Sequence, residues 1–364
     1  MKRFLLFIVL ISIVVSASFF LFKFTKERVK RDFSWSVPNI NITPTPFVNR
    51  NRSNDPETKS LFVPYWSLKD SIGTDYDEYI YFGIAPDLNG IDLKEQGARN
   101  LDSFLGLVPK DKKKLLALRM IDSDTNFAIL KDSKKQDTII NQTISIAKQN
   151  KFDGIVLDLE VTAIPFESLV KQITDFNAAF YKKAKNNDLE FAITIYGDVF
   201  YRVRPFDVKT LAKNSDRILI MAYDFSKAKG NPGPNFPLLD SDTYGYDMTK
   251  MVTDFAPSVP MNKVTVVFGL FGYDWQVDSQ GRTLSQAKAL SSKEIEKNFI
   301  ETCQASSCSF GRNSKTVETE IKYTAKNGTK HIIWFEDMDS VAAKKEFLKT
   351  QGISSFSYWA HSYF

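Results

Sequence analysis

The sequence predicts an α/β fold, a (β/α)8 barrel, because strand-like and helix-like segments alternate along most of the chain. Eight short, apolar, β-rich segments are separated by longer segments whose apolar residues recur at intervals of three and four. We predict strands over residues 61–66, 78–84, 114–121, 152–160, 189–196, 217–223, 264–270 and 353–359. Eight strands spread over about 300 residues fit one barrel that also carries an insertion.

The segments between these strands are predicted to supply the helices of the barrel. Residues 138–149 and 166–185 each place large apolar side chains on one broad face, which is typical of helices that pack against a sheet. A last helix is predicted over residues 341–349, with Gly352 as its stop signal. Residues 275–331 are polar and contain both cysteines, so we assign them to a small insertion after the seventh strand.

The start of the chain differs in character from the barrel, which we place at residues 59–364. Residues 4–22 carry no charge and are long enough to span a bilayer, so residues 1–31 are predicted to form a transmembrane anchor with a basic flank. The small residues at 15–17 resemble a signal-peptidase site, but the apolar run continues past them, which favours an uncleaved anchor over secretion. Residues 32–58 are rich in Pro, Asn and Thr and predict an extended linker.

Two signals disagree on the orientation of this anchor. More basic residues follow it than precede it, which favours a cytoplasmic barrel by the positive-inside rule. The basic amino terminus instead suits a signal sequence. We expect a barrel outside the cytoplasm, held at the cell membrane by a single pass.

Composition argues against several classes of function. The chain has 48 basic and 43 acidic residues, and no basic stripe with interleaved aromatic residues, so nucleic acid is not an expected partner. Two cysteines without a nearby histidine make no structural zinc site, and we expect no metal, no cofactor and a monomer. Cys303 and Cys308 either close a small disulfide loop or remain free thiols.

The fourth predicted strand ends in carboxylates. Because side chains alternate between the two faces of a strand, Val156, Asp158 and Glu160 share one face. Two acids at the end of a buried strand are costly to desolvate, and the carboxyl ends of barrel strands carry catalytic residues. The alternative is a strand end that opens into solvent, where both acids are merely hydrated. The predicted barrel favours catalysis.

Five segments, in order, resemble the motifs of glycoside hydrolase family 18, the chitinase-like hydrolases. Residues 152–160 read Phe-Asp-Gly-Ile-Val-Leu-Asp-Leu-Glu and resemble its Asp-Gly-x-Asp-x-Asp-x-Glu signature. Residues 221–224 (Met-Ala-Tyr-Asp) and Trp359 resemble its sixth-strand and eighth-strand motifs. Residues 271–275 (Phe-Gly-Tyr-Asp-Trp) and 334–337 (Trp-Phe-Glu-Asp), the latter with Ser340 and Lys344, resemble segments of spore-type peptidoglycan hydrolases. Each motif is weak alone, but five in order are specific.

The resemblance implies a polysaccharide substrate whose own N-acetyl carbonyl attacks the sugar. Glu160 would be the general acid and then the base, while Asp158 would bind the acetamide nitrogen and raise the pKa of Glu160. Tyr223 would bind the acetamide oxygen, and Asp224 would contact the sugar or tune the two acids. The other candidates for substrate binding are Met221, Trp359, Tyr65, Tyr273 and Trp275.

Packing is the competing explanation for the aromatic candidates. Trp359 would form the floor under the reacting sugar, unless it is a core tryptophan at the bottom of the barrel. For Tyr65, Tyr273 and Trp275, packing is as good an interpretation as substrate binding. The resemblance also implies an α+β insertion that deepens the cleft. It further implies action outside the cell, because the family acts mostly on extracellular polymers. The spore-type motifs and the anchor favour peptidoglycan over chitin.

The sequence departs from the family pattern at several positions. Val156 stands where the family has the first acid of its signature, so Asp158 is expected to titrate differently. The third-strand Ser-x-Gly-Gly motif is missing, and Gly269 and Phe271 replace the usual seventh-strand Pro and Tyr. Two alternatives therefore stay open: a barrel that binds cell-wall glycan with little or no cleavage, and an envelope protein in which the acids only end a strand.

Overall fold

The computed structural model of the protein describes residues 56–69 and 71–364. Within them, eight parallel strands close a barrel, with labels in chain order: β1 (Thr58–Pro64), β2 (Glu78–Ile84), β3 (Lys113–Met120), β4 (Gly154–Leu159), β5 (Glu190–Tyr196), β6 (Arg217–Ala222), β7 (Val264–Gly269) and β13 (Ser355–Trp359). Neighbours follow chain order from β1 to β7, and β13 closes the ring between β7 and β1. The eight predicted strands are confirmed, with ends shifted by a few residues.

The interior of the barrel is an apolar layer to which β1–β7 and the residue after β13 contribute. Its buried members are Phe62, Ile80, Phe82, Leu115, Ala117, Val156, Ala192, Leu219, Val267 and Ala360. Ala117, Val156 and Ala192 lie side by side on β3, β4 and β5. Because small residues flank Val156 on both sides, its side chain fills the middle of the barrel and belongs to the core below the carboxylates of β4.

The helices of the described residues lie between the barrel strands and in the insertion. They are α1 (Gln96–Arg99), α2 (Leu101–Leu107), α3 (Ser123–Leu130), α4 (Ser133–Gln149), α5 (Glu167–Lys185), α6 (Val208–Lys213), α7 (Ser241–Tyr244), α8 (Met248–Phe255), α9 (Ser292–Ile295) and α10 (Met338–Thr350). The other helical segments are the 3₁₀ helices Tyr65–Ser67 and Met261–Lys263 and the π-helix Glu296–Glu301.

Two predicted helices begin earlier than the apolar pattern indicated, because capping residues set their starts. The Asp132 carboxylate accepts from the Lys134 amide at 3.0 Å, so α4 begins at Ser133 rather than at residue 138. The Asp337 carboxylate accepts from the Ser340 amide at 2.8 Å, and α10 begins at Met338 rather than at 341.

The insertion is larger than predicted. It is a five-stranded antiparallel sheet of order β10-β11-β12-β8-β9, built from β8 (Phe271–Val277), β9 (Lys288–Ser291), β10 (Ser307–Arg312), β11 (Thr319–Thr324) and β12 (Lys330–Phe335). It starts at Phe271 rather than at 275, because β8 pairs with β12 over residues 272–277 and with β9 over residues 271–274. With α9 beside the sheet it is an α+β unit, as expected. Cys303 and Cys308 form a disulfide within it.

The predicted anchor and nearly all of the predicted linker lie outside the described residues. The part of the chain that the structure describes contains no helix long and apolar enough to cross a bilayer. The described residues belong to one compact unit.

Candidate active site

Two carboxylates stand at the carboxyl end of β4, on the face that the sequence predicted. Asp158 is only 3% exposed, and its Oδ1 accepts a hydrogen bond of 2.6 Å from the Thr194 hydroxyl of β5. Glu160 lies just beyond the strand, and its Oε2 accepts a 3.0 Å bond from the Tyr196 hydroxyl at the end of β5. Each acid is thus oriented by the neighbouring strand, and neither has an ion-pair partner among the described residues.

The pKa values of both acids are raised, and burial is the largest cause in each case. The pKa of Asp158 rises to about 7, with repulsion from Glu160 adding to burial, while Arg119 and the Thr194 hydrogen bond oppose the rise. Burial and then Asp224 raise the pKa of Glu160 against the Tyr196 hydrogen bond and two nearby cations. Both carboxyls therefore hold their protons to higher pH than exposed carboxyls do, which favours a general acid.

Tyr223 lies directly after β6, beside these acids. Its ring stacks on Trp359 with centroids 6.4 Å apart, and burial together with Asp158 and Glu160 raises its pKa well above the usual value. The hydroxyl therefore stays protonated and can donate a hydrogen bond. A Cβ on Gly269 would lie 2.6 Å from the Cβ of Tyr223, so the glycine that replaces the family's proline is sterically required for this approach.

Asp224 is held at both its backbone and its carboxyl. Its φ of 57° lies in the left-handed region, and its amide donates to Asn235 Oδ1 at 2.8 Å. Its Oδ1 accepts from the Tyr273 hydroxyl at 2.6 Å. Tyr273, on the first strand of the insertion, thus contacts the site through Asp224. Burial raises the pKa of Asp224, and Asp198 adds to the rise, while the Tyr273 hydrogen bond and Lys227 oppose it.

Trp359 ends β13 at the carboxyl face of the barrel, not at its bottom. Its half-buried ring packs edge-on against Phe82 at 4.7 Å and Phe62 at 5.5 Å, above the apolar layer. Trp66, which is 45% exposed, packs beside it. Tyr65 lies under the Arg119 guanidinium at 4.9 Å. These rings give the cleft an aromatic side on which a sugar face can stack.

Two substrate-binding candidates are placed differently from the expectation. Trp275 is wholly buried among Val277, Ala287 and Trp334 in the core of the insertion, so the assignment to substrate binding is wrong and the packing alternative is right. Met221 is 6% exposed and shares the inward face of β6 with Leu219, beneath Tyr223. It supports the site from below.

Four residues of this region were not predicted from the sequence. Thr194 and Tyr196 share the inward face of β5 with Ala192. The same alternation that placed Asp158 and Glu160 on one face of β4 therefore indicated them as well. Arg119 lies opposite Asp158 in the register of β3 and β4, is buried, and pairs with Glu95. Asn235 lies in a loop and carried no local signal. In the described residues, no group of three or more His, Cys, Asp or Glu side chains is placed to hold a metal.

The chain is similar in sequence to known proteins. The cortical fragment-lytic enzyme of Bacillus anthracis is 24% identical over 248 residues, which cover 65% of this chain and 53% of that enzyme. The chain thus spans about half the length of curated relatives such as this one.

Solved structures show the same fold at low identity. The spore cortex-lytic enzyme SleL of Bacillus cereus aligns over 84% of this chain and 71% of its own, at 18% identity and a TM-score of 0.66. The class V chitinase from Nicotiana tobaccum aligns over 85% of this chain and 95% of its own, at 18% identity and a TM-score of 0.71. The model of the glycosyl hydrolases family 18 matches residues 79–363, and the chain belongs to that family.

Proposed function

We propose that the protein is a retaining glycosidase that cleaves β-1,4 linkages of glycans containing N-acetylglucosamine. The observation that carries this is the convergence of Asp158, Glu160 and Tyr223 at one end of the barrel. An acid, a group for the acetamide nitrogen and a hydroxyl donor for the acetamide oxygen are what substrate assistance requires.

The reaction assigns one role to each of these groups. Glu160 gives its proton to the leaving glycosidic oxygen while the acetamide oxygen bonds to C1, and Asp158 balances the positive charge that develops on the acetamide. Tyr223 donates to the acetamide oxygen and orients it. Water then attacks C1, Glu160 takes its proton, and the C1–acetamide bond breaks to release a sugar with the original configuration. Trp359 supports the sugar ring from below.

Val156 supports a second candidate function, a barrel that binds glycan and cleaves it slowly or not at all. The buried members of the layer around Val156 are apolar, so the side chain at position 156 offers Asp158 no ionisable group. Arg119 of the adjacent strand lowers the pKa of Asp158, whereas Glu160 raises it. Arg119 does not offset burial and the repulsion from Glu160, so the pKa of Asp158 stays raised and less of Asp158 is ionised to balance charge on the acetamide.

We further propose peptidoglycan over chitin as the substrate. Two similar proteins are named as enzymes that act on the spore cortex, the cortical fragment-lytic enzyme and the spore cortex-lytic enzyme, and they support this proposal. Lys227, three residues after Asp224, also supports it. Lys227 is exposed, its ammonium lowers the pKa of both Glu160 and Asp224, and it forms no ion pair with the described residues. Arg202 and Arg204, in contrast, are both paired with Asp198. A free cation at the cleft favours a glycan whose peptide stems carry carboxylates, and chitin carries none.

The test incubates the purified full chain with peptidoglycan, with peptidoglycan whose carboxyls are amidated, and with N-acetylglucosamine oligomers. New reducing ends from any of the three support the glycosidase. Binding without new reducing ends supports the second candidate. If the protein neither binds nor cleaves any of the three glycans, both candidate functions are contradicted. Lys227→Ala is expected to lower kcat/KM on intact peptidoglycan about fivefold, the worth of a partly screened charge contact. An equal loss on the amidated substrate would overturn the assignment of Lys227.

For the location we propose a barrel outside the cytoplasmic membrane, anchored through residues 1–31 and acting as a monomer. The uncharged run at 4–22 supports the anchor, and a cell-wall substrate supports the outward orientation. Protease added to wall-stripped cells should remove the barrel. Complete protection would place it in the cytoplasm.

A further inference from the structure

Asn235 joins three strand ends at the catalytic face of the barrel. It is 2% exposed and lies in the loop between β6 and α7. Its Oδ1 accepts from the Asp224 amide at 2.8 Å, and its Nδ2 donates to the Gly269 carbonyl at 2.8 Å and the Phe271 carbonyl at 3.3 Å. One side chain thus ties the end of β6 to the end of β7 and the start of β8.

The amide that Asn235 binds belongs to the peptide between Tyr223 and Asp224. A hydrogen bond to this amide fixes the orientation of the peptide plane, and with it the directions of both side chains. The left-handed φ of Asp224 makes the constraint necessary, because residues other than glycine seldom adopt this conformation without local support. The Tyr273 hydroxyl holds the other end of Asp224, at its carboxyl.

Asn235 is itself held by a carboxylate of the insertion. The wholly buried Glu318 carboxylate accepts from the backbone amide of Asn235 at 2.5 Å and from the backbone amide of Phe236 at 2.8 Å. It also accepts from the Lys344 ammonium of α10 at 2.7 Å. Glu318, Glu336, Ser340 and Lys344 form one hydrogen-bonded group, called the Lys344 cluster below. Continuous hydrogen bonds therefore run from α10 through the insertion to Asp224.

We propose that Asn235 is the positioning residue for Tyr223 and Asp224, and that Glu318 makes this positioning depend on the insertion. The proposal rests on the proposed function for the reaction that these residues serve. The insertion is then more than a wall of the cleft, because without Glu318 the loop that carries Asn235 loses its fixed point.

The pH profile reports on this positioning. Tyr196, Asp224, Lys227 and Arg204 shift the pKa of Glu160, and Glu160 in turn raises the pKa values of Asp158 and Tyr223. Asp224 raises the pKa of Glu160, so an Asp224 that leaves its place lets this pKa fall. Glu160 must be protonated to act as the acid, and activity is lost as the pH rises through its pKa. Release of Asp224 therefore moves the alkaline limb of the profile to lower pH.

The experiment compares Asn235→Ala with Asn177→Ala in the full chain. Asn177 is the matched control, a buried asparagine of α5 whose Nδ2 donates to the Asn214 carbonyl at 2.8 Å, away from the site. Asn235→Ala is expected to lower kcat roughly 10- to 100-fold, the cost of misplaced catalytic groups, and to move the alkaline limb. Asn177→Ala should lower thermal stability and leave kcat and the limb in place. Asn235→Asp, which keeps the acceptor for the Asp224 amide, should recover part of kcat.

Hydrogen exchange supplies a readout that does not need turnover. Amides of residues 221–226 should exchange faster in Asn235→Ala and in Glu318→Gln than in the parent, and at the parental rate in Asn177→Ala. An inactive parent with this exchange pattern would contradict the proposed function alone. Unchanged exchange and an unmoved limb in Asn235→Ala would overturn the positioning inference, and unchanged exchange in Glu318→Gln alone would overturn the role of the insertion.

Discussion

Two groups of carboxylates among the described residues differ in what neutralises them. In the active site, Asp158, Glu160 and Asp224 are each held by a hydroxyl donor, from Thr194, Tyr196 and Tyr273 respectively. In the Lys344 cluster, an ammonium that is wholly buried lies 2.7 Å from Glu318 and 2.6 Å from Glu336.

A raised pKa does not distinguish the two groups. Burial raises the pKa of Asp158 to about 7 and that of Glu336 to about 8. The two groups differ in two ways. The Lys344 cluster contains a buried ammonium within contact distance of its carboxylates. Glu160 is also partly exposed to solvent, whereas Glu318, Glu336 and Lys344 are fully buried. Acids without a resident cation at an open barrel end are available to a ligand, while acids around a buried lysine are structural. Substitutions in each group test this distinction.

The largest expected effect is the loss of turnover in Glu160→Gln. The substitution keeps the shape of the side chain and removes the transferable proton, so kcat should fall roughly 10²–10⁴-fold while glycan affinity and thermal stability stay close to parental. Initial rates and calorimetric titration with an N-acetylglucosamine oligomer measure the two quantities. Glu346→Gln, on the exposed side of α10, is the matched control. Full activity in Glu160→Gln would remove Glu160 from its role.

Lys344→Met should act on stability instead. It leaves two buried carboxyls without their cation, which costs about 3–5 kcal/mol of unfolding free energy. Lys171→Met is the control, since Lys171 and Asp175 form an exposed pair 2.6 Å apart whose loss costs about 0.3–0.5 kcal/mol. Denaturant unfolding measures both variants. A similar cost for both would mean that the Lys344 cluster contributes no more than a surface pair.

Val156→Asp tests the effect of a further carboxyl next to the active site on stability and activity. The apolar layer around Val156 offers the new carboxyl no donor, so unfolding free energy should fall by about 1–3 kcal/mol. Val267→Asp puts the same group in the same layer on β7 and serves as the control. If the parent is a working enzyme, Val156→Asp should shift its pH profile and keep activity of the same order. Activity that appears only in the variant would instead mark Val156 as the cause of an inactive parent.

A further expected effect concerns the pH dependence of stability, through Glu336. Its pKa is about 8 in the folded protein against an ordinary value of 4.5, so its contribution to stability is complete below pH 4.5 and is lost as the pH rises through 8. Glu336→Gln should therefore flatten the decline of the melting temperature between pH 5 and 8 that this group causes. A decline of parental steepness in the variant would assign it to other groups.

The sequence predicted the barrel and the acids of β4 because both depend on local patterns. Buried parallel strands are continuous apolar runs, and alternation within one strand is enough to put Asp158 and Glu160 on one face. The burial of Trp275 could not be read in this way, since it depends on the pairing of β8 with β12, more than fifty residues later in the chain. The Asn235–Glu318 contact joins residues 83 apart in the chain, so no spacing rule indicates it. Alternation did carry a signal for Thr194 and Tyr196.

The entry of the chain into β1 has a practical consequence for handling the protein. Glu57 pairs with Lys345 and, at 3.0 Å, with Lys349, and the Thr58 amide donates to the Ser354 carbonyl at 3.0 Å, so the polypeptide is fastened to α10 and β13 where the barrel begins. All eight barrel strands are parallel, so this entry point lies on the face opposite Asp158 and Glu160. A bead or solid support coupled ahead of Glu57 would therefore pull on the rear of the barrel and leave the cleft open to a bulky, insoluble polymer.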